Sequence, residues 1–347
     1  MVSSTDTTTP DTGIGRIDAF QRRHPVIGLP VAVVYKFFDD QGGYLAVMIT
    51  YYGFVSVVPM LLLATTVLGF VLQGDPSLQG RILDSAIRDF PVVGDQLGRP
   101  EGLRGSPTAL LIGSLAALYG SLGLGTALQN AVNTVWAVPR NSRPNPLLLR
   151  LRSLVLLITA GLALLVLSSV PVVLPVLFGW TGPLLGLGAP LAGVVVMALL
   201  LTAILWLAEG RRRPLRRSMP GAVVVTVLWQ GIQVAATLIA QHAAAQASAM
   251  NQTFGLVLGL IAVTYLAALA LVLGLELNVV LTRRLWPRAL LTPFSDDVAL
   301  TPGDKRAYAG YVRSQRHKGF QYVVTGFREP SRDDPEGPDD GLDTSTR

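Results

Sequence analysis

The chain has 347 residues, half of them hydrophobic and only 14% charged, with a formal net charge of +6 and no cysteine. Soluble domains carry about 25% charged residues, so this composition points away from a water-covered enzyme, and the lack of cysteine removes disulfides and thiolate chemistry. Three scattered histidines (His24, His242 and His317) make no metal cluster, and the mean hydropathy of +0.48 comes from long apolar runs.

Taken in chain order, residues 1–24 read as a polar, disordered tail with no signal peptide. "PVAVVYKFFDD" (Pro30 to Asp40) reads as an amphipathic segment lying along the inner membrane interface. Six apolar runs then follow at about Tyr44–Leu72, Thr108–Trp136, Leu151–Phe178, Leu184–Ala208, Gly221–Ala244 and Phe254–Leu281. Each is long enough to cross roughly 30 Å of hydrocarbon as a helix. The third could end early at Pro171, because proline breaks the helical ladder. An external amphipathic helix is expected at 77–90. The expected fold is therefore all-α: a transmembrane domain over 25–284, then a basic helix and a short strand ("FQYVVTGF") over 285–328, then a disordered acidic tail over 329–347. The basic helix opens with Thr301 as N-cap, Pro302 at its first position and Asp304 reaching back.

Arginines set the orientation. "AVPRNSRPNPLLLRLR" after the second run carries Arg140, Arg143, Arg150 and Arg152, and "EGRRRPLRRS" after the fourth carries Arg211, Arg212, Arg213, Arg216 and Arg217. Positive residues stay on the cytoplasmic side, so six spans with both termini inside are expected. Two readings of this basic inner rim stand, that it only sets topology, which is the first expectation, or that it also gathers anionic headgroups.

Polar residues within apolar runs need a reason. Tyr52, Ser56 and Pro59 share a face of the first run, and Pro59 is expected to bend it. Ser114, Ser121, Gly125, Gln129 and Asn133 lie near one face of the second. Thr226, Gln230, Gln233, Thr237 and Gln241 form a polar seam along the fifth. The sixth carries a Gly255/Gly259 pair, Tyr265, Glu276 and Asn278. Two readings stay open. The groups are interhelical glue, or Asn133, Gln230, Gln233 and Glu276 share the wall of a hydrated cavity or headgroup path. For Glu276, a pairing with Arg283, Arg284 or a capping amide competes with a transport role.

Three sequence blocks carry a resemblance. They are Tyr51, Ser56 and Pro59; then Ala131, Asn133 and Trp136 in "ALQNAVNTVWAVPR"; then Pro220, Gly221 and Ala222 with Gly274, Glu276 and Asn278 in "MPGAVVVTVLWQ" and "VLGLELNVVL". Their order and spacing resemble the YihY/BrkB family of bacterial inner-membrane proteins, once labelled ribonuclease BN. Thr50 stands where that family usually has alanine, and "HAAAQASAMNQTFG" is alanine-rich where many members have aromatic residues. The resemblance implies a six-helix, multi-pass protein of the bacterial plasma membrane. Its associations point to envelope integrity and to export of lipid or lipid-linked molecules, the alternative being a non-transporting envelope scaffold. Membrane lipids and envelope-biogenesis proteins are the expected partners, with no nucleic acid, no cofactor, no metal and no enzymatic activity. RNA hydrolysis usually needs a metal–carboxylate or histidine cluster, and the sequence offers none.

Overall fold

The computed structural model describes residues 13–71, 107–179, 188–209, 214–244, 249–290, 292 and 298–327. Among these residues every regular element is helical. They are α1 (Gly13–Arg23), α2 (Pro25–Asp39), α3 (Gly42–Val71), α4 (Pro107–Val135), α5 (Pro146–Phe178), α6 (Ala189–Ala208), α7 (Met219–Ala244), α8 (Ala249–Arg283) and α9 (Pro302–Ser314). The six longest, α3 to α8, coincide with the six apolar runs. Segments over Pro146–Pro171, Ala189–Ala208, Met219–Ile239 and Val257–Arg283 are long and apolar enough to cross a membrane. α5 stays helical through Pro171, and α3 stays helical through Pro59, although the surroundings of Pro59 lie outside the described residues.

The long helices close into a ring. Each packs on the next, from α3 through α8, and α8 returns to α3. Small residues permit the close approach. A Cβ on Gly125 would lie 2.7 Å from the Ser153 Cβ, where α4 meets α5. A Cβ on Gly221 would lie 2.1 Å from the Gly274 carbonyl oxygen, where α7 meets α8. Lipid tails are as apolar as leucine, so such contact, and not hydrophobic exclusion, drives helix association in a bilayer. The outward faces are apolar as well: Leu151, Val155, Ile158, Leu162 and Val166 on α5, and Leu191, Val195 and Leu199 on α6, are all exposed. Stripes of that length on soluble proteins mark contact with something apolar.

The buried core lies toward the end of the ring where α4, α6 and α8 finish and α3, α5 and α7 begin. It includes Ala46, Ile49, Ala131, Val135, Leu205, Ala222, Val272, Leu275 and Val279. This end carries Arg140, Arg150, Arg216 and Arg217 and is called the basic end below. α2 packs on α8 there.

Three expectations change. Residues 13–23 are the helix α1 and not part of a disordered tail: Asp18 accepts from the Leu290 amide at 3.0 Å, and Gln21 donates to the Arg288 carbonyl. Polar composition suggested disorder, but these polar groups have distant partners. Residues 321–327 form no strand, having no neighbouring strand to pair with among the described residues. Among the described residues, nothing lies within 4 Å of a Cβ built on Gly255, so its half of the Gly255/Gly259 pair makes no close contact with them. The segment 77–90 lies outside the described residues.

Candidate functional site

Charged side chains converge at the basic end. Lys36, the last-turn cation of α2, is 2% exposed. Its ammonium pairs with Asp40, the C-cap of the same helix, and lies 3.4 Å from Glu276 Oε2 of α8. It also donates to the Val135 carbonyl at the end of α4 (3.1 Å) and sits 5.2 Å from the centre of the Tyr311 ring of α9. One ammonium thus ties four helices together. Glu276 is fully buried, and neither of its carboxyl oxygens has a hydrogen-bond donor. Burial pushes Asp40 above the usual carboxylate range, and Lys36 only partly offsets this.

A second cluster flanks the first. Arg288 is fully buried, pairs with Asp304 through its Nε, and lies 3.1 Å from Asp39. Burial alone would lower the guanidinium, but Asp39 and Asp304 outweigh it and raise it. Asp304 also closes a capping box: its amide donates to the Thr301 hydroxyl (3.1 Å), and its carboxylate accepts from the Thr301 amide (2.9 Å). The Tyr311 hydroxyl donates to Asp39 at 3.2 Å, and burial with the nearby acids pushes this phenol well up, so it stays a donor. α9 is therefore docked on the bundle by the same residues that begin it.

The α7–α8 junction is built by Asn278. Its Oδ1 accepts from the Gly221 amide at 2.7 Å, and its Nδ2 donates to the Ser218 carbonyl at 3.3 Å. The first N–H groups of a helix have no internal partner, so a buried side-chain acceptor here satisfies α7 in place of water. The two halves of the third sequence block, Pro220–Ala222 and Gly274–Asn278, meet at this point.

A cavity of about 310 Å³ opens between the ends of α4, α5 and α6. Val132, Trp136 and Leu148 supply apolar walls; Asn133, Ser142, Arg152 and Glu209 supply polar ones. Arg283 donates to the Trp136 carbonyl, and its guanidinium lies 5.8 Å from the centre of the Trp136 ring.

Only part of the expected seam reaches this cavity. Asn133 lines it. Gln129 is buried one turn earlier and donates to Ser153 Oγ at 2.8 Å and the Leu149 carbonyl at 3.0 Å, so it joins α4 to α5. Gln230 and Gln233 are half-buried on α7 and are not among the cavity-lining residues. Thr226 and Thr237 of the same seam donate to their own helix. Ser56 is buried and donates to the Gly53 carbonyl of its own helix (2.9 Å), while Tyr51 is exposed. Glu276 pairs with Lys36; neither Arg283 nor Arg284 is its partner, because both lie past it at the helix end. Of Asn133, Gln230, Gln233 and Glu276, this cavity takes in Asn133 alone. Arg216 and Arg217 are exposed on a 3-10 turn before α7, and Arg211 to Arg213 lie outside the described residues.

Lys36, Asp40, Arg288 and Tyr311 are not singled out by the sequence, and Asp304 is read there only as part of a helix cap. The readable signal was a lone lysine four residues before an acid in an otherwise apolar segment. That spacing puts both on one helix face, where an unneutralised lysine would face the core.

The sequence model of a family described as virulence factor BrkB matches residues 33–295. No curated protein and no solved structure matches the chain. That match and the apolar, outward-facing helices make this an integral membrane protein.

Proposed function

The chain belongs to the virulence factor BrkB family, and from that premise we propose that it is a multi-pass protein of the bacterial plasma membrane that moves a lipid or lipid-linked envelope molecule between leaflets. The observation that carries this reading is the 310 Å³ cavity at the basic end. Positive residues favour the cytoplasmic side, so Arg140, Arg150 and Arg152 put the cavity at inner headgroup depth. Its size is at the lower end of small-ligand pockets. It suits a polar headgroup whose acyl chains stay outside in the bilayer. Arg152 offers a charge to a phosphate, Asn133 and Ser142 offer hydrogen bonds, and Trp136 and Leu148 offer an apolar floor. No enzymatic step and no cofactor belong to this reading.

The test is the thermal stability of the detergent-purified protein with a water-soluble, short-chain anionic phospholipid. The expected result is a saturable rise in Tm with the anionic lipid, larger than with a zwitterionic one and lost in Arg152→Glu. An equal response of both proteins to both lipids would sink the headgroup site.

A second reading, the non-transporting envelope scaffold, is favoured by a separate observation. Gln129, Asn278 and Ser56 are spent on packing contacts within and between helices. A scaffold whose surfaces bind envelope-biogenesis proteins needs no more than that.

A further inference from the structure

Two acids share one base in a dry site at the basic end. Asp40 and Glu276 both face the Lys36 ammonium, and the side chains of all three are at most 3% exposed. With both acids ionised, the site would carry one uncompensated negative charge, and an unpaired buried charge costs several kcal/mol. Among the described residues, the other cations nearby are engaged elsewhere, although the Arg283 charge does reach Asp40. Arg283 is held by the Trp136 carbonyl and ring. Arg288 is taken by Asp39 and Asp304. Tyr311 presents its ring to Lys36 and its hydroxyl to Asp39. The remaining polar neighbour, the Val135 carbonyl, is an acceptor and adds to the deficit of donors.

We propose that Asp40 and Glu276 together bind one proton at neutral pH, held between the two carboxyls beside Lys36. The two carboxyls meet at one ammonium, Asp40 in direct contact with it and Glu276 Oε2 at 3.4 Å, and so close an approach of two acids is favourable only when one of them is protonated. Without that proton, neither Glu276 oxygen has a donor. With it, the site is neutral overall: one ammonium, one carboxylate, one carboxylic acid. The elevated affinity of Asp40 for a proton, caused by burial, agrees with this. The acid pair around Arg288 is wetter: the Asp39 side chain keeps 19% of its surface open to water and also accepts from the Tyr311 hydroxyl. The proton site spans α2 and α8, so its occupancy is linked to the seating of α2 on the ring. This inference does not depend on lipid movement.

The experiment is infrared spectroscopy of the full chain in an ester-free maltoside detergent at pH 7, reading the carbonyl stretch of protonated carboxylic acid. Ordinary exposed carboxyls are ionised there and do not contribute. Wild type should show the band. Asp40→Asn and Glu276→Gln should each abolish it, because each leaves one acid for one base. Lys36→Met should roughly double it, because the remaining acids then both take protons. The proposal is overturned if wild type shows no such band at pH 7, a result that needs no variant to fold. It is equally overturned if the band persists at full strength in both Asp40→Asn and Glu276→Gln.

Discussion

Lys36→Met keeps the apolar stem and removes the ammonium that joins α2, α4, α8 and α9. Asp40 and the Val135 carbonyl lose their shared donor, and Glu276 its ion-pair partner, inside a site almost closed to water. Two routes give the magnitude. Breaking a buried ion pair by deleting one partner costs about 3–5 kcal/mol. Alternatively the second carboxyl takes a proton: with a reference value near pH 4 this costs roughly 4 kcal/mol at pH 7, at about 1.4 kcal/mol per pH unit. The routes agree, and the orphaned carbonyl adds about 1 kcal/mol or more. The assay is equilibrium unfolding of the purified protein in mixed micelles at pH 7 and pH 5, with the exposed Lys318→Met as control. Lys36→Met should lose about 4 kcal/mol or more at pH 7 and markedly less at pH 5, where protonation is easier. A loss no larger than the control's, or one that does not change with pH, would refute the shared-ammonium account.

Other outcomes follow from the same contacts. Asp40 is pushed upward, so the folded state binds more protons than the unfolded chain between the ordinary aspartate range and the raised value; stability should fall as pH rises through that window, and Asp40→Asn should flatten the slope in unfolding curves. Gly221→Ala drives a methyl to 2.1 Å from the Gly274 carbonyl oxygen and should cost several kcal/mol or prevent folding, whereas Gly231→Ala, which faces open space, should leave Tm within error. Thr301→Ala removes the α9 cap and should lower stability by about 1 kcal/mol, read as loss of amide-exchange protection over Pro302–Ser314. Gln41 joins α2 to α3 with φ of 55° and is exposed, so Gln41→Gly should raise stability by about 0.5–1 kcal/mol in the same unfolding assay.

The features legible in the sequence were those fixed locally. Run length and hydropathy gave α3 to α8 their places, because a helix that faces lipid must be apolar over its whole span. Thr301, Pro302 and Asp304 announced the start of α9, because a capping box is complete within four residues. Features set by distant pairings were not legible. Lys36 and Glu276 lie on helices far apart in the chain, and the nearer Arg283 and Arg284 were more obvious partners. The α7 seam is helically periodic, yet periodicity says only that Gln230 and Gln233 share a face, not that the face meets Asn133. Arg152 was read as a topology marker, since its part in the cavity depends on where α4 and α6 end. Asp18 and Gln21 looked like tail residues because their partners, Leu290 and Arg288, lie beyond the last apolar run.

Phospholipid movement in proteoliposomes tests the central claim most directly. A labelled phospholipid is placed in both leaflets, and a membrane-impermeant quencher reads the fraction that reaches the outside. The account predicts a quenched fraction clearly above one leaflet's share with wild-type protein, and a return to that share with a folded Asn133→Leu variant that fills and dries the cavity. A quenched fraction that stays at one leaflet's share in every sample would contradict it.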